Sequence, residues 1–433
     1  MTIPTTRLIV CVSLAFLCYA MIVTAEDKPP QRDVAEKRLM EMDFSLWISE
    51  IFAVSPDSQH VAYGAQAGRK QFVIVDGQAG KSYQVILGNM LRFSPNSQRL
   101  AYAVEEGRKS FIVVDGKTLK PYDSLGAGTL RFSPDSQRLA YAAVADNRMF
   151  VVVDGTEHKP YDAIVTEPLA FSPDSQRLAY GARQGQQWFV VVDGQETQPY
   201  DAIVAETLTF SPDSQRLAYG ARQGQQWFVV VDGHAGKPYA GIGSGSVLFS
   251  ANGQRLTYVA QVGKQQMVVV DGQEGKLYPG IAVGSLLFSP DSQHVAYAVQ
   301  GADKTWFVVQ DGQEGKPYET WVDGPVFSPD SQRLAYAVAL EKDKQVVVVD
   351  GHAGKTYRDI KVSTLTFSPD SRWLAYGARV DKPWTVVLNG QEGKPYENLI
   401  SLGGGRLVFD APDRLHYLVT RGQDIYVVQE QLK

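Results

Sequence analysis

Short apolar runs separated by turn residues recur at a constant spacing along nearly the whole chain. Aligned on Ser-Pro-Asp and its variants, the turn serine falls at Ser55, Ser94, Ser133, Ser172, Ser211, Ser250, Ser289, Ser328 and Ser368. The first seven steps are 39 residues each and the eighth is 40. A degenerate tenth unit, Phe409-Asp410-Ala411-Pro412-Asp413, follows, and segments 172–193 and 211–232 are identical. Self-similarity at a period of about 40 residues marks a stacked array or a propeller and decides the fold before local propensity does.

One unit shows the elements. Thr207–Phe210 reads as a short first strand, and Ser211-Pro212-Asp213-Ser214 as a turn in which Pro supplies a fixed φ. Arg216–Ala221 and Gln226–Val231 read as the second and third strands, and Asp232-Gly233 as a tight hairpin turn. Pro238–Ile242 reads as a short fourth strand. Leu217 and Tyr219 alternate with small Ala218 and Gly220, while the third strand is apolar on both sides. A blade lies between two neighbours, so both of its faces are buried and simple polar alternation disappears. Four strands per unit predict an all-β fold, a β-propeller of four-stranded blades. No segment carries a helical period, unless the polar stretch Gln31 to Met42 does.

Closure is also predicted. The last unit supplies three strands and lacks a fourth. Counting back from Ser55 places Phe44 and Trp47 where Tyr161 and Ile164 stand before Ser172. Asp43–Trp47 is therefore expected to complete the final blade and hide the ring's edges. Ten blades exceed the usual four to eight. Two five-bladed rings are the alternative, but the unbroken step through Ser250 leaves no linker between them. The expected organisation is a signal peptide over 1–25, a polar segment over 26–42 and a ten-unit propeller over 43–433.

Phe-Ser-Pro-Asp-Ser-Gln-Arg-Leu-Ala-Tyr, at 132–141, 171–180, 210–219 and 327–336, resembles the WD-repeat-like motif of TolB-type bacterial propellers. The resemblance covers nearly all of the repeat region. It implies a β-propeller of the cell envelope or exterior that serves as a protein-binding platform. The family motif usually carries Gly after Asp. Here Ser58, Ser136, Ser175, Ser214, Ser292 and Ser331 stand in that place, and only Ala251-Asn252-Gly253 keeps Gly, so the build of the turn is open. No TolB-like α/β domain and no α/β-hydrolase half accompanies the repeats.

Charge and the N-terminus set the compartment. The 433 residues hold 42 basic and 47 acidic side chains, which lacks the basic footprint of a nucleic-acid binder. Arg7, the apolar run Leu8–Val23 and small residues ending at Ala25 follow the grammar of a secretory signal peptide cleaved after Ala25. The run is short for a membrane span. Both cysteines, Cys11 and Cys18, lie inside it, so the mature chain would form no disulfide. The expected location is periplasmic or secreted.

Candidate chemistry is sparse. There is no Gly-x-Ser-x-Gly elbow, no His-Glu-x-x-His and no metal-spaced cysteine pair. His60 and His294 share one repeat position, and His234 and His352 another; residues spread around a ring in this way cannot jointly hold a metal. The repeated Asp of Ser-Pro-Asp and Asp-Gly reads as turn chemistry, and no catalytic residue, cofactor or metal is predicted.

The turns after the first and third strands are nearly uniform, whereas the hairpin into the third strand and the link into each blade vary. Those two variable connections share one face of the disc, which marks it for binding. Two features are expected there. Trp188, Trp227, Trp306 and Trp384 stand at the entry to the third strand, as aromatic anchors or as packing between blades. Five residues before the turn serine, Glu50, Glu167, Glu206 and Asp323 would form a partly acidic collar at the channel mouth. The leading reading is a non-catalytic scaffold that binds a protein or a surface glycan, its oligomeric state open. A propeller enzyme acting on polysaccharide (lyase or hydrolase) and a carbohydrate-binding propeller are the alternatives.

Overall fold

The structure, a computed structural model, describes residues 31–165, 169–341 and 343–433. The repeats form ten antiparallel sheets, the blades of a β-propeller, numbered here by their turn serines from Ser55 in the first to Ser368 in the ninth. Among the described residues the only helical piece is a single 3-10 turn, Val283–Ser285. In the fifth blade Thr209–Phe210 pairs with Leu217–Gln223, which pairs with Gln226–Val231. His234–Ala235 adds the outer edge, and Tyr239 bridges back to Trp227.

The fourth strand therefore ends near Tyr239, earlier than the sequence pattern suggests. Gly241 and Ile242 have crossed into the next blade, where they pair with Gln261 and Ala260. They form the first half of that blade's innermost strand, and Leu248–Phe249 forms the second half. Gln261 sits beside the hairpin into the third strand, so the link and the hairpin do share a face.

The core lies between blades. Ala140, Val151 and Val153 of the third blade pack with Tyr161, Ile164, Tyr180 and Val191, which belong to or lead into the fourth. The small residues make this fit possible: a Cβ on Gly181 would stand 2.8 Å from the Val165 side chain, and one on Gly220 2.7 Å from Val204. Paired tyrosines meet edge to face at six of the junctions, as Tyr161 with Tyr180 and Tyr200 with Tyr219 at 6.5 and 5.9 Å.

The turn keeps the left-handed geometry that Gly would adopt. Ser58, Ser136, Ser175 and Ser214 have φ of 54°, 67°, 64° and 63°. Serine offsets that strain with a bond glycine cannot make. Ser214 Oγ accepts the Asp174 backbone N–H of the preceding blade at 3.0 Å, and Ser175 and Ser136 do the same for Asp135 and Asn96. Asp213 plays the expected turn role, accepting from Ser211 Oγ and the Gln215 amide at 2.5 and 3.1 Å.

The Arg of Gln-Arg-Leu holds the Asp of Asp-Gly and reaches the next blade. Arg177 lies 3.2 Å from Asp193 and 5.1 Å from the centre of the Phe210 ring. His60 and His294 fill the same place, each 2.7 Å from its Asp and beside the next blade's Phe93 or Phe327.

An N-terminal strand does close the ring, but it is not Asp43–Trp47. Arg32–Glu41, within the stretch set apart as a polar segment, pairs antiparallel with Asp424–Leu432 and forms the outer edge of the tenth blade. Trp47 instead begins the innermost strand of the first blade, opposite Ala65. Counting back from the turn serine matched Trp47 correctly to the place of Ile164, but that place lies after the crossing between blades and so belongs to the blade that follows. Phe44 does not take the place of Tyr161, which lies before the crossing. Met40, opposite Ile425, is buried where other blades place their outer tyrosine. Glu36 stands where Glu196 does, and receives Lys394, Tyr396 and Arg421 at 2.8, 2.9 and 2.6 Å. It repeats the contact of Lys159 and Tyr161 with Glu196.

Candidate functional site

The four tryptophans are packed into the blades. Trp188 and Trp227 lie opposite Arg183 and Arg222, whose guanidinium groups stand 5.8 and 5.2 Å from the ring centres. Trp306 bridges Tyr318 and packs against the junction between the seventh and eighth blades. Trp384 is 7% exposed and lies beneath Lys361 and Arg379, at 4.4 and 4.8 Å. A buried, cation-covered ring offers no face to a ligand, so Trp384 is not an exposed anchor. The other three are half-buried.

The acidic collar is not assembled as the spacing implied. Glu50 is exposed at a bulge in the innermost strand Trp47–Val54. Glu206 is exposed at the equivalent place in the fifth blade, with Ser244 Oγ of the sixth blade at 3.2 Å. Glu167 lies outside the described residues. Asp323 leaves the collar altogether. An extra residue after Tyr318 and a shorter link put it opposite Ala337, where the fourth blade carries Val165 opposite Gly181. Its carboxylate caps the Gly324 amide at 2.7 Å. No group of three or more metal-ligating side chains occurs among the described residues.

What the sequence pattern missed lies at the seam, where the first and last blades meet. A cleft of about 150 Å³ opens there on the variable face. Phe44, Trp47, Phe52, Leu399 and Leu402 supply apolar wall, and Lys361, Ser401 and Thr420 supply polar groups. Phe44 is 43% and Leu402 64% exposed at its rim. Both sit in irregular segments that the closure imposes: seven residues separate Met40 from Trp47, where three separate Tyr239 from Ile242.

Lys361 is the unusual member. Other blades place Leu87, Val165, Val204 or Ala282 at its position, seven residues before the turn serine, and this departure was the available sequence signal. Burial lowers its pKa below the ordinary lysine value; the neighbouring Asp359 acts against that and Arg379 adds to it. Asp359 is engaged by Arg379 at 3.0 Å. Lys361 Nζ is left with the Ser401 hydroxyl at 3.2 Å and the face of Trp384.

No protein-family model matches the chain, and no curated protein matches it. Among solved structures it is similar to a eukaryotic initiation factor, at 15% identity over 74% of this chain and 90% of that one, with a TM-score of 0.46. It is similar to the C-terminal WD40 domain of Sif2, at 12% identity over 72% of this chain and 97% of that one, with a TM-score of 0.36. It is also similar to TolB from Acinetobacter baumannii, at 17% identity over 52% of this chain and 61% of that one, with a TM-score of 0.28. In fold, by its own ten sheets and repeated turns, the chain is a ten-bladed β-propeller.

Proposed function

We propose that the chain is an exported, non-catalytic scaffold that docks a protein partner on its variable face. The distribution of exposed apolar side chains carries this reading. Among the described residues the large exposed ones are Val34, Phe44, Val85, Val262, Leu277, Trp321, Leu340, Val380 and Leu402. Seven of these lie in the links and hairpins of the variable face. Val34 lies on the outer strand Arg32–Glu41 and Leu277 between Gln273–Glu274 and the Tyr278 bridge at the outer edge of its blade, and none lies in the Ser-Pro-Asp or Asp-Gly turns. Clustering on one face, away from the polar turns, is what a protein-docking surface requires.

A protein fits better than a glycan, since Trp384 is buried and the half-buried Trp188 and Trp227 each carry an arginine over the ring that would stack on a sugar. Export rests on the N-terminal sequence pattern alone. The candidate carboxylates Glu50 and Glu206 sit four blades apart, which favours binding over acid–base chemistry.

In-cell cross-linking of a tagged copy, with mass spectrometry, tests the reading. A partner that copurifies with the native chain should be lost from Leu340→Glu/Val380→Glu and retained by Gln137→Glu/Gln176→Glu in the opposite turns. Loss from the turn variant instead, or equal recovery from both, would refute docking on the variable face.

A further inference from the structure

We propose that the seam cleft is a receptor for a chain end: the C-terminal carboxylate of a partner protein whose last residue is large and apolar. This rests on the reading of the variable face as a docking surface and names what enters it.

Size argues for one side chain. Pockets that enclose a whole small ligand usually measure roughly 300–1,000 Å³, and a 150 Å³ apolar cavity holds about one benzene ring. The seam cleft, at about 150 Å³, matches a single Phe or Leu side chain. The rest of a longer ligand must lie outside it, and Phe44 and Leu402 provide apolar surface at the rim.

Charge argues for a carboxylate. Among the described residues Lys361 has no acidic partner within ion-pair distance, and its hydrogen-bonding neighbour is a neutral hydroxyl. Its acidic neighbours are committed elsewhere, Asp359 to Arg379 and Asp323 of the adjacent blade to the Gly324 amide. Lys361 Nζ and Ser401 Oγ thus form a paired donor site beside an apolar pocket. A half-buried cation gains most from an anion that arrives with its own apolar cover. A chain end with an apolar last residue brings both groups about one residue apart.

The seam is also where this chemistry could arise once only. Elsewhere the repeat puts an aliphatic or glycine residue at the Lys361 position, apart from Asp323 in the eighth blade.

The test uses the full chain and a labelled octapeptide, Gly-Ser-Gly-Ser-Gly-Ala-Val-Phe, with a free carboxylate. Binding is read by fluorescence anisotropy. Its C-terminal amide and 3-phenylpropionate are the comparison probes. The amide should bind at least tenfold more weakly. Lys361→Val should weaken the acid at least tenfold and leave the amide unchanged. That variant restores the residue that Val165 and Val204 hold in other blades, so it should fold, and circular dichroism checks this. Phe44→Ala should weaken acid and amide alike.

Equal binding of acid and amide, no effect of Lys361→Val, or no binding at millimolar peptide would each overturn the proposal. Phenylpropionate binding as tightly as the peptide would overturn the chain end in favour of a small acid. Leu340 and Val380 lie outside the cleft. If their variant loses the partner and Lys361→Val keeps it, the docking face stands and the chain-end site alone fails.

Discussion

Glu36 is the contact on which ring closure can be measured. Its carboxylate is 16% exposed, while its partners Lys394 and Arg421 are 49% and 38% exposed. Burial by itself would raise its pKa. The hydrogen bonds from Lys394, Arg421 and Tyr396 outweigh that and hold it down to about 2, from 4.5. At about 1.4 kcal/mol per unit, this shift sets a ceiling of ~3 kcal/mol for the charged form. Both cations are open to water, and screening reduces the expected contribution to about 1–2 kcal/mol.

Glu36→Gln keeps the shape and removes the charge. Because the folded pKa is depressed, the stabilisation is complete above the unfolded value. It falls away as pH drops through 4.5 and is gone near 2. Urea unfolding of both proteins at a series of pH values reads the difference. The variant should be less stable by about 1–2 kcal/mol at pH 7, and the two curves should converge as pH falls toward 2. Hydrogen exchange should locate the loss in the Arg32–Glu41 strand, the edge from which the ring would open. A gap that stays constant with pH, or no gap at pH 7, would refute the view that this carboxylate latches the closure.

The turn serines give two further tests. Ser214→Ala removes the acceptor for the Asp174 amide and keeps the left-handed strain, so it should cost about 1–3 kcal/mol. Ser214→Gly also loses the bond but relieves the strain, so calorimetry should place it between Ala and the native protein; a glycine variant as stable as the native protein would show that the bond contributes nothing. The fifth–sixth junction has Gly253, at φ 71°, where Ser58, Ser97, Ser136, Ser175, Ser214, Ser292, Ser331 and Ser371 serve other junctions. Gly253→Ser should give the Asp213 amide a partner and slow its hydrogen exchange, with stability changed by no more than about 1 kcal/mol either way. Unchanged exchange would mean that the hydroxyl does not reach.

The blade count, the all-β class and the presence of an N-terminal closing strand were legible because each is written in the repeat ten times over. The identity of the closing strand was not. Arg32–Glu41 shares almost no residues with Asp-Gly-Gln-Glu-Gly-Lys-Pro-Tyr; it keeps only Glu36 for the latch and Met40 for the tyrosine's place. An outer strand is recognised by what it must touch, and two positions in ten that repeat the contacts of other blades leave little to read. The crossing between blades was hidden for a related reason. Pro238–Ile242 is continuous in sequence, nothing in it marks the bend at Ala240, and only pairing tells that Tyr239 and Ile242 belong to different sheets. Asp323 was misplaced because a one-residue insertion and a shorter link cancel almost completely in the 39-residue step.

These failures fall together for a physical reason. A ring of near-identical blades presents near-identical junctions, and any site built from repeat residues would occur many times with equal affinity. A single point of recognition needs a place where the symmetry breaks. Closure creates one, because a chain with two ends cannot complete its last blade with the same residues that join the others. The longer path from Met40 to Trp47 exposes Phe44, the altered tenth unit exposes Leu402, and the ninth blade turns Lys361 toward both of them. The residues that least resemble the repeat are therefore those most able to distinguish one partner from another. Phe44→Ala, which leaves every blade-to-blade contact of the regular kind in place, should then impair recognition far more than it impairs stability.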